Sequence, residues 1–326
     1  MESSMERLSR VGVELTLRVA QRRQEADGVV SLTLQALDTE SLPGWDAGSH
    51  IDVVVGDGTT RQYSLCGDPT RHDSWRIAVL REESGRGGSR WVHDTVREGD
   101  SLRVRGPRNH FRLEPAPRYL FIGGGIGVTP LLPMIAAAEA AGAEWRLAYG
   151  GRSSSSMAFL TELECFGERV VFYPHNETGK LDLDRLLATP SRDTLVYCCG
   201  PEALLEAVEQ KTGHWPAGSL HVERFSARSD TAVAVESDHA FEVELSRSGT
   251  VVQVPADRTV LSVLEEVDAD VVSSCAEGTC GSCETIVLAG RPDHRDSVLT
   301  DAERAAGDRM MVCVSRCLGS RLVLDL

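Results

Sequence analysis

The chain has 326 residues, 41% of them apolar and 25% charged, enough for two or three domains of ordinary globular composition. A formal net charge of −15 argues against nucleic acid as a partner, because binding phosphates asks for a basic surface. No run of ~18 apolar residues appears, and the start "MESSMERLSRVGVEL" lacks an apolar signal core, so the sequence reads as a cytoplasmic protein without a membrane span.

The first third is strand-rich. "VELTLRVAQRRQ", "VVSLTLQAL", "HIDVVVG", "TRQYSLC", "SWRIAVLRE" and "DSLRVRGPRNHF" make six strands broken by turn signals, which predicts a closed antiparallel barrel. One short helix, "SRWVHDTVR", interrupts them, with Ser89 as its expected N-cap. The middle third alternates strand and helix. "RYLFIGGGIGVTPLLPMIAAAEAAG" is strand, glycine turn and helix, and the same pattern recurs through "WRLAYGGR", "AFLTELECF", "VVFYP", "DLDRLLAT", "TLVYCCGP", "EALLEAVEQKTG" and "LHVERF". This predicts a parallel α/β sheet whose ligand sits at the carboxyl ends of the strands, where "GGGIGVTP" and "CCGP" lie. The glycines let a backbone approach a pyrophosphate or a ring, although a glycine-rich turn alone is weak evidence for either.

The last quarter begins with a hairpin pattern, "FEVELSRSGTVVQV", and a short helix, "TVLSVLEEV", capped by Thr259. Nine cysteines in a long chain without a signal argue against a disulfide framework. Four of them have a spacing: Cys275, Cys280 and Cys283 stand as C-x4-C-x2-C, and Cys313 follows in "MMVCVSR". That is the plant-type ferredoxin spacing for a [2Fe–2S] cluster. A zinc site is the alternative, but zinc usually takes paired C-x2-C clips. Cys317 reads as a small packing residue. A second helix is expected near "TDAERAA" and a closing strand at "RLVLDL". Residues 240–326 hold 15 acidic and eight basic side chains, a net charge of −7.

The motifs "RQYSL", "GRGGSRWVHD", "GPRNHF", "GGGIGVTP", "CCGP" and "HVERF", followed by the cysteine loop, come in the order of the phthalate dioxygenase reductase family, which the chain resembles over essentially its whole length. The resemblance implies an FMN-binding β-barrel domain over 1–116, an NAD(H)-binding α/β parallel-sheet domain over 117–228 and a linker over 229–239. An α+β plant-type ferredoxin domain of β-grasp fold would then occupy 240–326. It implies that Arg61, Arg86, Gly87, Gly88 and Ser89 hold the FMN phosphate, and that Tyr63, Ser64, Ala78 and Phe225 lie against the flavin ring. Gly124, Gly125, Thr129, Arg152, Cys199, Gly200 and Pro201 would receive NADH, with Ser64, Thr129, Cys199 and Phe225 around the reacting atoms. Arg152 and Ser153 could hold a 2′-phosphate, yet the family prefers NADH.

NADH delivers two electrons as hydride and a [2Fe–2S] cluster takes one, so FMN belongs between them. The resemblance makes the protein a monomeric oxygenase reductase whose partner is a Rieske-type terminal oxygenase or demethylase. Two alternatives remain at this point: a haem-thiolate monooxygenase as the client, or a non-catalytic carrier or metal-clipped binding module.

Overall fold

The protein is seen here as a computed structural model that describes residues 13–37, 41–227 and 238–326, so residues 229–237 of the expected linker lie outside the described residues. The chain forms two compact units that divide between Glu223 and Arg224.

The first unit opens with β1 (Val13–Ala26), β2 (Val29–Ala36), β3 (Ser49–Val54), β4 (Thr60–Ser64), β5 (Ser74–Leu80) and β6 (Ser101–Asn109), ordered β4-β3-β6-β1-β2-β5. Period-two alternation drives Leu17, Val19, Leu32, Leu34, Val53 and Val104 into one core. β1 is long enough to serve two neighbours. Residues Val13–Arg18 pair with β6, and Leu17–Ala26 pair with β2 across bulges at Val19/Gln21 and Gln24/Ala26. The outer strands meet through a Leu65–Ile77 bridge and a Cys66 N–H donated to the Arg76 carbonyl at 2.8 Å, which closes the predicted barrel. Helix α1 (Gly88–Thr95) inserts Val92 into this core. Its N-cap is Gly87 at φ 88°, not Ser89 as the sequence suggested. The Ser89 hydroxyl instead accepts the Glu82 N–H at 3.0 Å. A left-handed glycine starts the helix without a capping side chain, which frees Ser89 to tie down the preceding loop.

The same unit continues with β7 (Arg118–Gly124), a 3-10 turn at Gly125–Val128, α2 (Leu131–Ala140), β8 (Glu144–Gly151), α3 (Leu160–Glu164), β9 (Val170–Pro174), α4 (His175–Thr178), α5 (Leu183–Leu186), β10 (Thr194–Cys199), α6 (Glu202–Thr212) and β11 (Leu220–Glu223). All five strands are parallel, ordered β11-β10-β7-β8-β9. The chain runs outward from β7 to β9 and then resumes on the other side at β10, so the topological switch point lies between β7 and β10. Barrel residues Val29, Cys66, Ala78 and Phe111 share one buried core with Phe121, Leu131, Trp145 and Tyr197 of the sheet. Two tyrosines bracket the connection between barrel and sheet. Tyr197 donates to the Arg112 carbonyl and accepts from the Glu114 N–H; Tyr119 donates to the Glu114 carbonyl and accepts from the Ala116 N–H, all at 2.7–2.9 Å.

The second unit contains β12 (Phe241–Leu245), β13 (Thr250–Val254), α7 (Val260–Glu266), β14 (Glu284–Ala289), β15 (Pro292–Asp293), α8 (Asp301–Ala306), β16 (Arg309–Met311), β17 (Arg316–Cys317) and β18 (Arg321–Leu324). A five-stranded sheet, β13-β12-β18-β14-β16, packs Phe241, Val243, Leu322 and Leu324 against Val260 and Leu264 of α7. Thr259 caps α7 as expected, and Thr300 forms a capping box with Glu303 on α8. Buried Arg316 ties the unit together: it donates to the carbonyls of Arg258, His239 and Pro255 and lies 5.2 Å from the centroid of the Phe241 ring.

The glycines at the switch point are required by contact. A Cβ on Gly127 would sit 2.3 Å from the Cys199 carbonyl oxygen, and one on Gly124 would sit 2.7–2.8 Å from Leu204 and Pro201. Gly127→Ala is therefore expected to prevent this unit from folding, read as loss of soluble protein or of a cooperative melt. Gly142→Ala, at φ 68° with open space around it, should cost only about 1–2 kcal/mol in urea unfolding.

Candidate redox site

β4 and the start of α1 build one anion-binding corner. Arg61 lies along Gly88, where a Cβ would come within 2.8 Å of its stem, and it donates to the carbonyls of Thr60 and Arg86. The open N-terminal N–H groups of α1, the αL turn at Gly87, half-buried Arg61 and exposed Arg86 suit a terminal phosphate. Below β4, Asp52 (1% exposed) accepts from Arg108 (6% exposed) at 2.6 Å and from Gln62 at 2.8 Å. This buried pair fixes the register of β3, β4 and β6 and hence the direction of their side chains. Tyr63 packs against the barrel core, and burial pushes its hydroxyl up to about 12 against the opposing pull of Arg61. Ala78 is a core residue of β5 paired with Ser31.

At the end of β4, buried Ser64 donates its Oγ to Glu223 Oε2 at 3.5 Å, and Cys199 Sγ contacts the same oxygen at 3.9 Å. Cys199 and Glu223 are register partners at the carboxyl ends of β10 and β11. Burial pushes the Glu223 carboxyl up to about 8, with the Ser64 and Cys199 hydrogen bonds pulling the other way. Burial also pushes the Cys199 thiol well above its ordinary value, with the Glu223 charge adding to it. Sequence reasoning missed Glu223. Its only signal was a carboxylate at the end of an apolar strand.

Gly124 and Gly200 pack backbone on backbone, and a Cβ on Gly200 would lie 3.0 Å from the Gly124 Cα. Gly125 takes φ 54° with nothing over it. Thr129 is buried and donates its hydroxyl to the Ile126 carbonyl, so it braces the turn. Pro201 is the N-cap of α6. Arg152 is exposed just beyond β8. The structure thus gathers Ser64, Cys199, Gly124, Gly125, Thr129, Gly200 and Pro201 about the switch point, while Arg61 and Arg86–Ser89 mark the phosphate corner. Phe225 is 46% exposed and belongs to the second unit.

In that second unit, Cys275, Cys280, Cys283 and Cys313 are each 2–3% exposed. Their thiols form a row, Cys280 to Cys275 to Cys313 to Cys283, joined by hydrogen bonds. These bonds hold the Cys275 thiol below its ordinary range and, with burial, push Cys280 and Cys313 up. A row of two thiol pairs fits two bridged irons with two thiolates each. Loop groups contact the sulfurs: the Glu277 N–H donates to Cys275 Sγ at 3.3 Å, and Ser282 Oγ lies 3.1 Å from Cys280 Sγ. Ala276, Gly278 and Gly281 all take positive φ to wrap the loop. A Cβ on Gly278 would strike Val314 at 2.6 Å. Cys317 is buried in the core beside β18, its Sγ accepting from the Gly319 N–H at 3.2 Å.

A barrel with an anion corner, a switch-point sheet beside it and a cysteine loop for two irons define a flavin-dependent reductase with a one-electron outlet. A family model described as a 2Fe-2S iron-sulfur cluster binding domain matches residues 243–318. The chain is 40% identical to phthalate dioxygenase reductase of Burkholderia cepacia over 96% of its own length and 97% of the relative's. It belongs to the phthalate dioxygenase reductase family of oxygenase reductases. A solved phthalate dioxygenase reductase, described as a modular structure for electron transfer from pyridine nucleotides to [2Fe-2S], matches at TM-score 0.69 and 39% identity, covering 96% of this chain and 98% of that one. An intact type IV self-sufficient cytochrome P450 monooxygenase matches at TM-score 0.92 and 46% identity, covering all of this chain and 42% of that longer protein. No helix among the described residues is long and apolar enough to cross a membrane.

Glu223 makes stability depend on pH. Its carboxyl ionises near 4.5 when free and near 8 when folded, so its contribution is greatest below pH ~4.5 and is lost as pH rises towards ~8. Glu223→Gln should flatten the fall in the thermal midpoint between those limits, measured by differential scanning calorimetry against the unmodified protein.

Proposed function

We propose that the protein takes hydride from NADH at the switch point, onto an FMN held by the barrel, and returns the electrons singly through a [2Fe–2S] cluster to a Rieske-type terminal oxygenase. The domains expected from the sequence carry these roles: residues 1–116 for FMN, 117–228 for NADH and 240–326 for the cluster, in a monomeric cytoplasmic protein. The observation that carries this reading is the meeting of Ser64 from the barrel with Cys199 and Glu223 at the carboxyl ends of β10 and β11, beside the switch point. It joins a flavin wall to a nicotinamide wall.

Bound FMN supplies the exchange between paired and single electrons. Arg61, Arg86 and the α1 N-terminus would anchor its phosphate, and Tyr63 would lie against the ring. Ser64 Oγ presents a hydroxyl to the reacting edge. Glu223, held neutral below about pH 8, keeps a proton within one hydrogen bond of that hydroxyl. Gly124, Gly125 and Gly200 let the dinucleotide approach, while Thr129 and Cys199 flank the nicotinamide and exclude water. The four cysteines would hold the irons, and the Glu277 N–H would stabilise the charge on the Cys275 sulfur.

The match to a fused cytochrome P450 monooxygenase favours a second reading, a haem-thiolate client. Anaerobic mixing with NADH, followed by presentation of candidate oxygenases with cytochrome c as a generic control, separates the two. Heat-released flavin should run as FMN, and a dominant FAD peak would refute the assignment.

Serine replacement of Cys275, Cys280, Cys283 or Cys313 should abolish the cluster's visible and paramagnetic signals while NADH still bleaches the flavin; Cys317→Ser should keep both. The −7 charge of residues 240–326 should draw a basic patch on the oxygenase. Electron delivery to the partner should therefore slow as NaCl shortens the screening length below ~8 Å, with flavin reduction changing much less. A transfer rate flat in salt would remove electrostatic docking.

A further inference from the structure

We propose that Glu177 is the residue that makes the dinucleotide site select NADH over NADPH, a specificity that rests on the reading of this sheet as the NADH domain. The argument begins with strand order. The pyrophosphate belongs at the switch point, between the Gly124–Gly127 turn and Gly200. Cys199 and Ser64 occupy the β10 side of that point, so the nicotinamide half lies there and the adenosine half must extend the other way. The next carboxyl end in that direction is that of β8, which finishes at Gly151 and leads into Arg152 and the serines that follow.

The segment "RSSSS" looks like a site for a 2′-phosphate, but its hydroxyls are engaged. Ser153 and Ser156 form a reciprocal capping box, and Ser155 Oγ lies 3.2 Å from Ser153 Oγ. Ser154 Oγ donates to Glu177 Oε1 at 2.9 Å. Glu177 sits on α4, directly after β9, and the neighbouring Asn176 N–H is donated to the Arg152 carbonyl at 3.2 Å. Two independent hydrogen bonds therefore hold an exposed carboxylate beside the loop where the adenine ribose would lie. A ribose 2′-hydroxyl can donate to that carboxylate. A 2′-phosphate cannot, and it brings up to two further negative charges against it. Arg152, exposed and without an ion pair among the described residues, remains as the attraction that Glu177 outweighs.

The test uses the holoprotein. Second-order rates of anaerobic flavin bleaching by NADH and by NADPH are measured by stopped flow for the unmodified protein and for Glu177→Gln. The unmodified protein should prefer NADH, and the substitution should raise the NADPH rate on the order of tenfold, through loss of one repulsive charge, while the NADH rate falls or holds. Ser154→Ala, which cuts the hydrogen bond and leaves the charge, should move the ratio far less. Competition by 2′-phospho-AMP against AMP should shift in the same direction as the rates. An unchanged NADPH/NADH ratio in Glu177→Gln, with NADH still bleaching the flavin, overturns the proposal and leaves the reductase function standing. Failure of both nucleotides to bleach the flavin of the unmodified protein overturns the function itself, and the proposal with it. Should Glu177→Gln lose its flavin, Glu177→Ala is read by the same ratio.

Discussion

Two chain segments meet at the switch point with no side chains between them. Gly127 lies against the Cys199 carbonyl and Gly124 against Gly200, so β7 and β10 end at the same level and their turns interlock. This contact decides the positions of the groups proposed for redox roles. It sets Cys199 at the carboxyl end of β10, places its register partner Glu223 beside it and leaves an opening over Gly125. Protein interiors are packed too closely to absorb an added methyl at such a point. The two turns are therefore constrained jointly.

The barrel solves a complementary problem. Its strand β4 must expose polar groups at both ends while standing on an apolar core. Asp52 accepts from both Arg108 and Gln62, which leaves Arg61 to face the α1 N-terminus and Ser64 to face Glu223. A buried ion pair is a poor source of stability because its desolvation offsets much of its attraction. Here its use is to fix register. The carboxyl of Glu223 has no cationic partner among the described residues, and burial keeps it protonated near neutrality. An ionised group there would add negative charge beside Ser64, whereas the protonated carboxyl can give a proton.

Much of this was legible in the sequence because it depends on local pattern. The cysteine spacing named four buried thiols, period-two alternation placed the barrel strands, and Thr259 capped the helix its position suggested. What escaped was set by distant or backbone geometry. Ser89 lost the capping role because Gly87 adopts a left-handed conformation that no propensity rule reveals. Glu223 acquires its raised pKa from burial, on a strand whose pattern alone would have left it facing solvent, and its contact with Ser64 spans 159 residues of chain. The serine run after β8 suggested a phosphate site, and only its internal hydrogen bonds show that the hydroxyls are already engaged.

The tyrosine brackets on residues 112–116 bear on how the molecule comes apart. Tyr197 and Tyr119 bind both faces of the connecting segment from within the sheet, and the apolar core runs without interruption from barrel to sheet. The connection is therefore no hinge: neither half can open without exposing the shared core and breaking all four bonds. Barrel and sheet should behave as one cooperative foldon, exchanging their innermost amide protons together at the free energy of complete unfolding.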